Sequence, residues 1–129
     1  MSTTTMRKPT VIQHEMVSND QKEKCATLLL EVHQDIEDFK GHFPEFSLLP
    51  GVTQVDWAVF YAKQYLNTPS EFKGMEVLKF QQPILKNSQV ELQLTWNEEK
   101  QKLHFIYKSK PTEQDLEAAV HASGRILLG

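Results

Sequence analysis

The stretch Gly41-His42-Phe43-Pro44-Glu45-Phe46-Ser47-Leu48-Leu49-Pro50-Gly51-Val52-Thr53-Gln54-Val55-Asp56 decides the fold. Its first ten residues hold two prolines, each of which fixes its own φ and disfavours helix in the residue before it, so 41–50 reads as an ordered loop. Pro50 stops whatever precedes it, and a helix can begin at about Gly51. Two proton-transfer residues bracket this loop-to-helix passage: His42, just after a glycine, and Asp56, in the second turn of the helix.

From Gly51 onward the pattern is helical. Val52, Val55, Val59, Ala62 and Leu66 recur at steps of three and four, one face of a 3.6-residue period. Trp57, Ala58, Phe60 and Tyr61 make the other faces apolar as well, so most of the helix should be buried. At about 16 residues it would be a rod of roughly 24 Å. Asp56 is the anomaly, because an aspartate loses its water at a cost when it is buried without a partner. Taken alone it fits a rim position or a bond to nearby backbone better than a dry cleft that tunes its carboxyl for acid–base work.

Working outward, residues 1–9 read as a tail and 10–129 as a single domain. Val11–Val17 and Lys24–His33 read as strands around a polar turn, with Ala26, Leu28, Leu30 and Val32 on one face. After the helix, Asn67-Thr68-Pro69-Ser70 is a stop. Gly74–Phe80 alternates Met75, Val77 and Lys79 against Glu76, Leu78 and Phe80, and Pro83 ends it. Gln89–Trp96 and Leu103–Tyr107 form a hairpin about Asn97–Lys100, with Val90, Leu92, Leu94, Trp96, Leu103, Phe105 and Tyr107 inward. The last segment has helix formers at 116–120, yet Leu116, Ala118, Val120, Ala122, Gly124, Ile126 and Leu128 alternate at period two, which favours a strand. Two strands, a loop, one apolar helix and four strands make an α+β unit in which an antiparallel sheet curls round a single helix.

At 129 residues the chain suits one core. A net charge of −3 gives no support for nucleic-acid binding. No apolar run approaches the roughly 18 residues of a membrane span, and no signal peptide opens the sequence. The lone Cys25 excludes an internal disulfide and fits the cytoplasm, as a small core residue rather than a nucleophile. The histidines are scattered and show no metal-ligand spacing, and there is no glycine-rich phosphate loop. His14 and His33 read as surface or capping residues.

The opening stretch as a whole resembles the signature of the β-hydroxyacyl-acyl-carrier-protein dehydratases, the FabA/FabZ group: GHFP, a short loop, Pro50-Gly51, then a helix bearing a carboxylate. The aspartate is the choice of the FabA branch, whereas the small size and the absence of an N-terminal helical extension look more like the FabZ-like ApeI type of aryl-polyene clusters. The resemblance implies the hotdog fold, a homodimer with the active site at the subunit interface, and dehydration of (3R)-hydroxyacyl thioesters to trans-2-enoyl thioesters in fatty-acid or aryl-polyene synthesis. It implies His42 as the base, Asp56 serving the departing hydroxyl, the Gly51 N–H facing the thioester oxygen, and His42 and Asp56 drawn from different subunits.

No cofactor is implied, since the substrate brings the phosphopantetheine of an acyl carrier protein, the expected partner. That carrier's acidity asks for a basic patch, for which Lys79, Lys86, Lys108, Lys110 and Arg125 are candidates. Two departures stand out: Phe60 replaces a glutamine common one turn after the carboxylate, and Thr53-Gln54 and Trp57 replace mostly small aliphatic residues. The bulk of Trp57 and Phe60 would shorten or reshape the acyl tunnel or favour a flat conjugated chain. A hotdog thioesterase, which would release free acid, and a non-catalytic acyl- or carrier-binding module, indifferent to His42→Ala, are the alternatives.

Overall fold

The computed structural model describes residues 8–18, 23–33, 36, 49–85, 87–109 and 119–129. The loop 41–48, and with it His42, lies outside the described residues, as do Lys86, Lys110 and positions 111–118. Six strands and one helix follow in the order β1 (Thr10–Ser18), β2 (Glu23–Val32), α1 (Gly51–Leu66), β3 (Phe72–Phe80), β4 (Ser88–Asn97), β5 (Lys102–Ser109) and β6 (Ala119–Leu128). The strands form one sheet in the order β1-β2-β4-β5-β6-β3, with every neighbouring pair antiparallel. The sheet curls round α1, the hotdog arrangement. The final segment is a strand from Ala119, and the expected alternation runs from Ala122 to Leu128 but is broken at His121, which is an extra residue between Val120 and Ala122. At the chain's other end, Pro9 is buried and the Lys8 ammonium sits 4.7 Å from the centre of the Phe60 ring.

Period-two patterning builds the concave face. Ala26, Leu28, Leu30 and Val32 of β2, Val90, Leu92, Leu94 and Trp96 of β4, and Leu103, Phe105 and Tyr107 of β5 are all buried. Each such aliphatic or aromatic side chain contributes about 1.5–3 kcal/mol by leaving water. The helix lies across β2 and β4, in the middle of the sheet's first half. Its core face is Thr53, Gln54, Trp57, Ala58, Tyr61, Ala62 and Leu66. This corrects the first half of the helix face expected from periodicity, since Val52 is 78% exposed and Val55 and Val59 are only half-buried, whereas Ala62 and Leu66 are buried as expected. A helix that is apolar nearly all round has two faces able to bury, and the one carrying the indole of Trp57 displaces more water. Asn67 ends the helix in the left-handed conformation at φ 56°, its N–H donating to the Lys63 carbonyl.

The expected alternation of β3 fails at two bulges. In its pairing with β6, Phe72 opposes Leu128, Gly74 opposes Leu127, Met75 opposes Ile126 and Val77 opposes Arg125, so Lys73 and Glu76 are each an extra residue. An extra residue shifts the period by one. Phe72, Met75, Leu78 and Phe80 therefore all share the concave side with Leu128, Ile126, Gly124 and Ala122, whereas alternation alone would put Met75 opposite to Leu78 and Phe80. At the outer side the bulged Glu76 pairs with Lys102 at 2.7 Å and with Arg125 at 3.2 Å.

Candidate active site

Because α1 lies over β2 and β4 while β3 stands at the far edge, a groove of about 520 Å³ remains between helix and edge strand. Val52, Val55 and Val59 line one wall, and Phe72, Met75, Leu78 and Phe80 line the other. Asp56 and Ser70 are the polar members of the lining. Asp56 thus points from the helix face turned away from the core, exposed at the margin of an apolar groove, the rim position rather than a dry cleft within one chain.

Gly51 closes the same groove at the helix N-terminus. The first intrahelical hydrogen bond is Gln54 N–H to the Pro50 carbonyl at 3.2 Å, and the N–H of Gly51 has no acceptor among the described residues. Gly51 and Asp56 are five residues apart, roughly 7.5 Å along the axis, and both face the groove. A side chain at position 51 would collide: a Cβ there would stand 2.6 Å from Cζ of Phe80. The glycine therefore has a reason beyond starting the helix.

The helix start is held from three directions. The Leu49 N–H donates to the Ile84 carbonyl at 2.9 Å, the Gln54 side-chain amide donates to the Leu49 carbonyl at 3.1 Å, and the buried Tyr107 hydroxyl donates to the Gln54 carbonyl at 2.6 Å. Burial holds the Tyr107 phenol well above its ordinary pKa, with the neighbouring Tyr61 and the Asp56 charge adding to it, so it stays a donor. Burial likewise pushes Tyr61 up to about 12.

The sequence reading marked Gln54 as a departure from the family pattern but missed its place in the core. A glutamine at a core position of an apolar helix is as unusual as Asp56, and that was the available signal. His121 was missed as well. It is an extra residue in β6, since Tyr107 opposes Ala122 and Lys108 opposes Val120, and the bulge turns its ring inward. Its Nδ1 donates to the carbonyls of Gln82 (3.2 Å) and Pro83 (3.0 Å), which leaves Nε2 to accept from the Ser109 hydroxyl. This fixes the segment that follows Phe80 at the end of the groove.

One sequence expectation changes place. Trp57 is 1% exposed within the core and does not line the groove, whereas Phe60, edge-on against Tyr61 beneath Lys8, lines an adjoining recess that shares Asp56, Val59 and Ser70 with it. The aromatic rings that do line the groove, Phe72 and Phe80, come from β3. Of the basic candidates, Arg125 is engaged by Glu76, while Lys79 and Lys108 lie on the outer face of the sheet. Among the described residues no three His, Cys, Asp or Glu side chains form a metal site. No described helix is long and apolar enough to cross a membrane. Cys25 is half-buried, with Sγ 3.8 Å from the Thr95 hydroxyl.

Comparison with known proteins places this geometry. Residues 18–125 match the model of the ApeI-like family, described as ApeI dehydratase. Among solved structures, an uncharacterized protein from Erwinia carotovora subsp. atroseptica is 33% identical with a TM-score of 0.81, over 92% of this chain and 94% of that one. The dehydratase heterocomplex ApeI:P from Xenorhabdus doucetiae matches at 31% identity and TM-score 0.73, over 93% of this chain and 96% of that one. The bifunctional dehydratase-cyclase domain of ambruticin biosynthesis shares the fold at 19% identity and TM-score 0.59, over 94% of this chain and 43% of that one. No curated protein sequence matches. With the family model spanning most of its length, the chain belongs to the ApeI-like dehydratase family and is a dehydratase of hotdog fold.

Proposed function

We propose that this dehydratase removes water from (3R)-hydroxyacyl thioesters carried on the phosphopantetheine of an acyl carrier protein, giving trans-2-enoyl thioesters for aryl-polyene assembly. The observation that carries the proposal is the shared groove position of Asp56 and the Gly51 N–H, a carboxyl and an uncommitted backbone donor at one end of an apolar channel.

The chemistry divides among three groups. The imidazole of His42 takes a proton from C2, next to the thioester carbonyl, a task suited to a neutral histidine near pH 7. Negative charge gathers on the thioester oxygen as the proton leaves, and the Gly51 N–H, with the positive end of the α1 dipole behind it, donates to that oxygen. The C3–O bond then breaks, and the Asp56 carboxyl supplies the proton that makes the departing hydroxide water. No cofactor enters, because the thioester itself stabilises the charge.

A carboxyl that must hold a proton near neutral pH needs a dry site, and in one chain Asp56 is exposed. A second copy paired along β3 would cover the groove, and the family resemblance implies that its Asp56 works with the first copy's His42. The open β3 edge and its exposed apolar side chains support such pairing.

Mass spectrometry of 3-hydroxyacyl chains on a carrier protein tests the reaction. Wild type removes 18 Da, one water by simple mass balance, at rates of roughly 1–1,000 per second. His42→Ala and Asp56→Asn each lower the rate by about 100-fold or more. Retained dehydration in His42→Ala would refute the assignment of the base, and release of the acyl chain as free acid would identify a thioesterase.

A further inference from the structure

A second recess of about 370 Å³ lies beyond the helix start, lined by Leu49, Gln54, Gln81, Gln82 and Pro83. It shares two lining residues with the groove, Gly51 and Phe80. These two residues form the waist between that recess, whose accessible lining is mainly apolar, and the apolar channel. The waist is tight: the Phe80 ring presents its tip to Gly51, with Cζ 2.6 Å and both Cε atoms 3.0 Å from where a Cβ would stand. The Phe80 side chain is otherwise half exposed, and the segment after it is tied down by His121.

We infer that Phe80 is a specificity-determining residue that admits unbranched acyl chains, saturated or conjugated, and excludes chains substituted at C2. This rests on the dehydration proposed above. A thioester oxygen accepting the Gly51 N–H brings C2 and C3 past the tip of the ring. A straight chain, or a planar enoyl or polyenoyl chain, can lie flat against the half-exposed ring. A methyl group on C2 adds a full van der Waals diameter where the ring already touches the helix backbone. The recess beyond the waist, rimmed by the exposed Gln81 and Gln82, then receives the pantetheine arm, and the channel receives the remainder of the chain.

The experiment is a competition assay with two 3-hydroxyacyl thioesters of equal chain length, one unbranched and one bearing a 2-methyl group. Wild type, Phe80→Leu, Phe80→Ala and Phe72→Ala are compared by the ratio of kcat/KM for the two substrates. One methyl group at a close-fitting wall discriminates by about 10–200-fold, and wild type should favour the unbranched substrate within that range. Phe80→Ala should bring the ratio below about threefold, mainly through faster turnover of the branched substrate, with Phe80→Leu between the two, since the effect cannot exceed the discrimination that one methyl supplies. Phe72→Ala, at the opposite end of the channel, controls for general loosening and should keep the wild-type ratio. An unchanged ratio in both Phe80 variants overturns the inference, as does an equal collapse in Phe72→Ala. Failure of wild type to dehydrate either substrate removes the reaction itself, which is a distinct result.

Discussion

Trp57 and Val52 stand five residues apart on the same helix in opposite environments, 1% and 78% exposed. Trp57→Ala should lower the unfolding free energy by about 3–5 kcal/mol, through lost burial and an unfilled cavity. Val52→Ala should change it by no more than about 0.5 kcal/mol. Urea unfolding measures both, and a loss below 1 kcal/mol for Trp57→Ala, on the scale of ordinary surface changes, would show that the indole is not the core anchor. The residue types were legible in the sequence, and so was the oddity of Asp56. Which side of an all-round apolar helix meets the sheet was not, because a 3.6-residue period ranks residues by face without saying which face lies nearest the most buriable area. The same gap put Trp57 in the acyl channel and left the core position of Gln54 unread.

At the scale of elements, the bulges of β3 decide what the groove is made of. Glu76, the second extra residue, is drawn into a hydrogen bond with Lys102, and the Lys102 and Arg125 charges add to it, so its carboxyl ionises below the ordinary range. A carboxyl that ionises more readily folded than unfolded contributes fully above its unfolded pKa, and the contribution disappears as pH falls through its folded value. Glu76→Gln should therefore lower the urea midpoint at pH 7 and cease to do so at strongly acidic pH. An equal difference at both ends of the pH range would contradict the pairing. Strand identities were legible from alternation throughout β2, β4 and β5, where each residue has one partner. Bulges at Lys73, Glu76 and His121 were not, because an extra residue arises from fitting two curved strands together and leaves no local composition signal.

For the whole molecule, β1 and β3 are the sheet edges, and β3 carries Phe72, Met75, Val77, Leu78 and Phe80 at 36–51% exposure. A long apolar edge beside an apolar groove is stabilised by pairing. Sedimentation at micromolar concentration should give a dimer, and a charged substitution in the middle of the edge, Val77→Asp, should give monomers with no dehydratase activity. A wild-type monomer that retains activity would remove the shared-site model. The order of strands and helix, the loop-to-helix passage at Pro50-Gly51 and the family signature from Gly41 to Asp56 were determined by the sequence alone, because turn residues, hydrophobic period and motif spacing are local properties. The groove, its waist at Gly51 and Phe80, and the turning of the Val52–Asp56 face toward the open edge strand were decided only by the tertiary structure. They depend on where a curled sheet leaves space beside a helix packed off its centre, and that space is a property of six strands at once.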